Sequence, residues 1–114
     1  MERAYYEYRP SDYDEVVSAG IRTTIIRFNI EEVDKNVFFF DYVEYNHKEP
    51  LTEDDYGKLV SCIIRGKYSE DDVEAIVNNY LDDPDGHKSE FDELQKWRSI
   101  AKQRAREIID SVAE

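Results

Sequence analysis

The acidic loop Asp82-Asp83-Pro84-Asp85-Gly86 is the first stretch whose residue types suit a chemistry, that of calcium. An EF-hand loop aligned on Gly86 places Leu81 at position 1, Asp83 at 3, Asp85 at 5 and Asp92 at 12. Position 1 must donate an oxygen, which leucine lacks, so the segment reads as a helix-to-helix turn built from Asp, Pro and Gly. His47 and His87 are the only imidazoles. Both fall in expected polar loops, in different segments, and no spacing brings them to the three or four converging ligands that zinc needs. They read as solvated histidines, and no metal is expected. Cys62 is the single cysteine. It lies beside an apolar helical stripe, where an inert, partly buried thiol is expected rather than a nucleophile paired with histidine. Glu31, Asp41 and Glu44 are the carboxylates that a small ligand-binding domain or enzyme would use, and acid–base work would need a pocket that raises a pKa. Gly20, Gly57, Gly66 and Gly86 are too scattered to cradle a phosphate. No catalytic residue and no cofactor is assigned, and the chain is not expected to be an enzyme.

Two groups of residues are candidates for a protein-binding surface. Lys96, Arg98, Lys102, Arg104 and Arg106 form a basic run on a chain whose net charge is −12. Asp92–Lys96 and Arg106–Asp110 have the i, i+4 spacing of helical ion pairs, whereas Arg98, Lys102 and Arg104 have no such partner and Lys102–Arg106 is a like-charge pair. The run is either a helix balancing its charges or a surface that meets a partner. Phe39 with Tyr45 is the second candidate, an aromatic pair on a strand. The alternative is that the N-terminal Tyr5–Tyr8 segment covers that pair as a further strand.

The acidity narrows the partners. Affinity for nucleic acid comes largely from neutralising phosphates, so nucleic-acid binding is disfavoured, as is docking on an anionic membrane. One cysteine permits no intramolecular disulfide, which excludes the framework of a small secreted domain. The N-terminus lacks the apolar core of a signal peptide, and no apolar run approaches the ~20 residues that span a bilayer. Cytoplasmic residence is expected. The 114 residues suit a single domain over 1–114 with a core of its own.

Three kinds of element must position these residues. The N-terminal segment 1–20 reads as a strand at Ala4–Tyr8, a turn at Pro10-Ser11-Asp12 with Ser11 capping one helical turn through Asp14, and a strand at Val16-Val17. Residues 21–46 read as a β-hairpin, rich in Ile, Thr, Phe, Val and Tyr. Of two registers, the three-residue loop Asp34-Lys35-Asn36 pairs Val33 with Val37, Ile30 with Phe40 and Phe28 with Tyr42. It gathers Ile26, Phe28, Ile30, Phe38, Phe40 and Tyr42 on one face, and it places Asn36 in the left-handed region that asparagine tolerates. Helices follow at 52–66, 69–81 and 89–112. Thr52 caps the first, Gly66 stops it, and Tyr56, Leu59, Val60, Ile63 and Ile64 form its stripe. Ser69 caps the second, with the stripe Val73, Ile76, Val77, Tyr80 and Leu81, and the two helices are expected to pack as a pair. The third starts at Ser89 with Phe91, Leu94, Trp97, Ala101, Ala105, Ile108 and Val112 inward. The fold class is α+β, an antiparallel hairpin or small meander followed by three helices on its apolar face.

Taken in order, Tyr8-Arg9-Pro10-Ser11-Asp12-Tyr13, Arg22-Thr23-Thr24-Ile25-Ile26-Arg27, Asp41-Tyr42-Val43, Leu51-Thr52, Ile63-Ile64-Arg65-Gly66-Lys67-Tyr68-Ser69, Ala75 to Tyr80 and Phe91 to Arg98 resemble small phage- and prophage-encoded proteins, especially from gut Bacteroides-type hosts. The likeness covers nearly the whole chain and rests on structural motifs, so no functional residue is carried over. The proteins it resembles are often encoded among tail and tail-fibre genes. The resemblance implies a non-enzymatic accessory protein acting through contacts with a phage structural or host protein, in the host cytoplasm or associated with the virion. An acidic antagonist of a host protein is a further alternative. A free strand edge also makes a homo-oligomer conceivable.

Overall fold

The computed structural model describes residues 1–112 and is α+β, four antiparallel strands followed by three helices. Within the span read from the sequence as one domain, there are two compact units, Met1–Thr52 and Glu53–Glu114.

The first unit is a sheet of β1 (Glu2–Tyr6), β2 (Tyr13–Ser18), β3 (Ile21–Asp34) and β4 (Val37–His47), in the order β1-β4-β3-β2. The β-branched and aromatic residues of β3 and β4 suit a pleated, half-buried surface, and these two long strands form the centre. Because β1 and β2 lie at opposite edges, the connection 7–12 crosses one face of the sheet as a strap. Pro10 within it is buried, Tyr8 stacks on Tyr6 with centroids 5.0 Å apart, and the Arg9 guanidinium lies 5.9 Å from the Phe38 ring. The capped helical turn expected at Ser11–Asp14 is not formed. The Ser11 hydroxyl donates to the Tyr13 carbonyl at 2.9 Å, and β2 begins at Tyr13. β2 and β3 join through Ala19-Gly20, whose φ values of 52° and 79° are those of the two-residue turn that matches strand twist.

The hairpin keeps the expected left-handed Asn36, with φ 61°. Its register departs from expectation on both sides. Asp34, not Val33, pairs with Val37. The expected register then holds at Glu32–Phe38 and Glu31–Phe39. A second irregularity between Phe28 and Glu31 sets Phe28 opposite Asp41, Arg27 opposite Tyr42 and Ile26 opposite Val43. Asn29, at φ 55°, marks the bulge. A one-residue slip turns side chains to the other face. Thr24, Ile26, Phe28 and Val43 therefore share one face, and Arg27, Phe38, Phe40 and Tyr42 share the opposite one. Both sets contain buried side chains, so the single apolar face expected from Ile26, Phe28, Ile30, Phe38, Phe40 and Tyr42 is divided between two.

The second unit opens with a 3₁₀ turn, Glu53–Asp55, and continues with α1 (Tyr56–Lys67), α2 (Glu70–Asp82) and α3 (Pro84–Val112). α1 starts at Tyr56 rather than at a Thr52 cap, and it runs through Gly66 to Lys67. Extended Tyr68 ends it, with its N–H donating to the Ile64 carbonyl at 2.9 Å. Ser69 caps α2 as expected: its hydroxyl accepts from the Asp72 N–H at 3.0 Å while Asp72 accepts from the Ser69 N–H at 3.3 Å. α3 begins at Pro84, earlier than Ser89, and is interrupted at His87, where φ is −125°. The uninterrupted helix thus starts close to the expected place. α1 and α2 each pack on α3, and mainly there rather than as a pair with each other. Leu59 and Ile63 of α1, Ile76 of α2, and Leu94, Trp97, Ala101, Ala105, Ile108 and Ile109 of α3 are buried. Tyr80 stacks on Phe91 with centroids 3.9 Å apart. Leu81 and Val112, expected on inner stripes, are exposed.

Candidate functional site

On α3 the basic run is not one patch. Arg98, Lys102 and Arg106 stand at i, i+4 and i+8, which aligns them along one side of the helix. Lys96 lies about a third of a turn from the middle of that ridge, and Arg104 lies on nearly the opposite side of the helix. Arg106 is committed to structure: its two terminal nitrogens donate to the Glu53 carboxylate at 2.7 and 2.9 Å, one of them also reaches Asp110 at 3.3 Å, and the guanidinium lies 4.4 Å from the Tyr56 ring centroid. Hydrogen bonds to Glu53 first, and then to Asp110, hold the Arg106 pKa well above its ordinary value. The same bond holds the Glu53 carboxyl below its ordinary value. Arg104 lies 3.8 Å from Glu107. Asp92 does not pair with Lys96 as its spacing suggested, because Lys88 takes it at 2.9 Å. Among the described residues, Lys96, Arg98 and Lys102 form no salt bridge. Arg98 is half-buried and Lys102 exposed. Lys96 borders a shallow groove of about 280 Å³ with Lys67, Glu93, Trp97 and Ile100.

Phe39 and Tyr45 share a face of β4 but are separated by about 20 Å of strand. They are therefore two separate features. Phe39 meets Tyr5, with centroids 5.4 Å apart, beneath the Arg3 guanidinium at 5.2 Å. β1 pairs with β4 over Phe38–Tyr42 and sets Tyr5 opposite Phe39, so the N-terminal segment is a further strand as the alternative held, but over Glu2–Tyr6 rather than Tyr5–Tyr8 and without reaching Tyr45. Tyr45 stacks on His47 at 5.4 Å. Two of the three hairpin carboxylates are tied together: Arg3 donates to Glu31 at 2.6 Å and to Asp41 at 3.3 Å, and Asn29 donates to Asp41 at 2.9 Å. The hydrogen bond that Arg3 donates to Glu31 raises the Arg3 pKa.

His47 is not the solvated loop residue its neighbours suggested. It ends β4 with its side chain 6% exposed. Its Nδ1 faces the Glu49 carbonyl at 2.7 Å, which can only accept, so Nδ1 carries the proton. In the neutral ring Nε2 is then an acceptor, and the Thr24 hydroxyl donates to it at 2.9 Å. Glu15 stands 3.6 Å from the same nitrogen and is shared with Arg22 at 3.5 Å. Hydroxyl, imidazole and carboxylate converge here as in a nucleophile–base pair, but Thr24 is 2% exposed and out of a substrate's reach. The cluster locks the β2, β3 and β4 ends together. Thr24→Val is expected to leave Nε2 buried without its donor and to lower unfolding stability by about 1–3 kcal/mol in urea titrations at pH 8. A loss indistinguishable from zero would show the bond to be dispensable.

Burial raises the Cys62 pKa, with Arg65 opposing the shift, as expected for a quiet thiol. Among the described residues no group of three or more His, Cys, Asp and Glu side chains is arranged to hold a metal ion, and no helix is long and apolar enough to cross a membrane.

No protein-family model, curated protein or solved structure matches this chain.

Sequence reasoning missed one further residue, Arg27. Its side chain is 2% exposed and lies against the rings of Tyr6 and Phe40, each centroid 5.2 Å away, while the two rings also meet each other with centroids 5.0 Å apart. Its terminal nitrogens donate to the Ser11 carbonyl at 3.1 Å, to the Tyr6 hydroxyl at 3.3 Å and to Asp14 at 3.2 Å. Its role is to pin the 7–12 strap to the sheet. The only local sign of it was Arg27 falling amid β-branched and aromatic residues.

Proposed function

We propose that this chain is a non-enzymatic accessory protein of a phage or prophage, and that it acts by binding another protein through Arg98 and Lys102 on α3. The observation that carries the reading is that these neighbours on one ridge form no salt bridge among the described residues of a chain with 27 carboxylates. Charge left without an internal partner steers and orients a complementary surface. The fitting partner is a protein with an acidic patch. The order of segments along the chain, similar to that of proteins encoded among phage tail genes, supports a tail or tail-fibre component or assembly factor as the context.

The test is a tagged pull-down from the source strain after prophage induction, with intact particles sedimented separately and both fractions read by mass spectrometry. Tail or baseplate proteins are expected with the wild-type chain. The double variant Arg98→Glu, Lys102→Glu is expected to lower their recovery by about tenfold or more while leaving circular dichroism and thermal unfolding unchanged. Recovery of one dominant host protein and no phage protein would sink the reading and favour a host-directed antagonist, for which competition with DNA is the next measurement.

A further inference from the structure

β2 is a sheet edge whose outer side is open. Asp14 to Ser18 are all exposed, with Val16 at 50% and Val17 at 60%. The Arg27 N–H donates to the Asp12 carbonyl at 2.7 Å, and this bond fixes the backbone parity of the strand. Antiparallel pairs alternate between bonded and non-bonded. Asp12, Asp14, Val16 and Ser18 therefore turn their amides toward β3, while Tyr13, Glu15 and Val17 turn theirs outward. Proteins usually blunt such edges with proline, lysine or a bulge. Tyr13–Ser18 contains no proline or lysine, its charged residues Asp14 and Glu15 are confined to its first half, and its ladder with β3 runs without a register shift.

We propose that β2 pairs antiparallel with β2 of a second copy of this chain, about a two-fold axis at Val16. Four registers place the outward amides opposite one another near the strand centre, and the one that sets Tyr13 against Glu15 of the second copy opposes Asp14 to Asp14, which leaves three. One sets Glu15 against Glu15 of the second copy, which opposes like charges directly. Another sets Val17 against Val17 and pushes Glu15 against Ala19, which lies in the turn at φ 52°. The third sets Glu15 against Val17 of the second copy, and the reverse by symmetry. It forms two complete bonded pairs, puts Asp14 against Ser18, and stacks Val16 on Val16. No like charges are directly opposed. The two Glu15 carboxylates are diagonal neighbours, each already held by its own Arg22 at 3.5 Å. This self-complementarity selects a second copy as the occupant of the edge.

The register makes a specific covalent test. In a Cys62→Ser background, Val16→Cys faces itself in a non-bonded pair, where Cα atoms lie ~4.5 Å apart, within disulfide reach. Ser18→Cys, several residues from its own symmetry mate, does not. Air oxidation is expected to cross-link the first variant and not the second. Val17→Pro removes an outward N–H without touching the β3 ladder, and it is expected to weaken self-association by about tenfold or more in sedimentation velocity. A wild-type chain that stays monomeric at millimolar concentration overturns the proposal, as does cross-linking at Ser18→Cys as fast as at Val16→Cys.

Discussion

Arg27→Ala is expected to lower unfolding stability by about 3–5 kcal/mol, a large fraction of the 5–15 kcal/mol that a typical domain has. The change empties the space beside the Tyr6 and Phe40 rings, removes two cation–π contacts made out of water, and leaves the Ser11 carbonyl without its guanidinium donor. The ion pair with Asp14 is the smaller part. Asp14 is 48% exposed, which screens the pair, but Asp14→Asn leaves a guanidinium only 2% exposed without its carboxylate, so it should cost about 1–2 kcal/mol. Arg27→Met, which keeps the length and packs against both rings, should fall between the two. Urea unfolding followed by circular dichroism reads all three. If Asp14→Asn matches Arg27→Ala, the charge pair and not the strap contact dominates. If Arg27→Ala costs under about 1 kcal/mol, the strap is held by something else.

The contrast between Arg27 and Ser69 shows which features could be read from the chain. Ser69 and Asp72 cap α2 within three residues of each other, so the sequence alone predicted the Ser69 cap. Arg27 is held by Tyr6, Ser11 and Asp14, which reach it only because the chain crosses the sheet between its two edges. An arginine in a strand reads as a solvent-facing residue until that crossing is known. The hairpin was legible through composition, and its left-handed Asn36 through turn chemistry. The bulge at Asn29 was not legible, because one polar residue in a strand signals either a solvent-facing position or an irregularity. Yet that single residue decides which face Phe38 and Phe40 occupy. In the basic run, the alignment of Arg98, Lys102 and Arg106 was implicit in their spacing. The partner that ties up the Arg106 charge, Glu53, lies far away in sequence. His47 likewise looked solvated because Thr24 and Glu15 meet it only across strands.

At the centre of the helical unit, Trp97→Ala should also cost about 3–5 kcal/mol, and its companion Trp97→Phe identifies the cause. The indole N–H donates to the Ile63 carbonyl at 3.1 Å from a residue only 6% exposed. That carbonyl lies inside α1 and can accept from the helix as well, so losing the indole donor costs only the net worth of one hydrogen bond, about 0.5–1.5 kcal/mol. Lys67, 5.3 Å above the ring, is exposed and adds about 0.5–1 kcal/mol. Volume is the larger quantity, because alanine leaves a cavity where α1 and α3 meet. Trp97→Phe keeps most of the ring and should cost about 1–2 kcal/mol. Trp97 is the single tryptophan, so its fluorescence reports wild-type unfolding and circular dichroism must report both variants. A phenylalanine variant as unstable as the alanine one would mean that the bond to Ile63, rather than packing, holds α1 to α3.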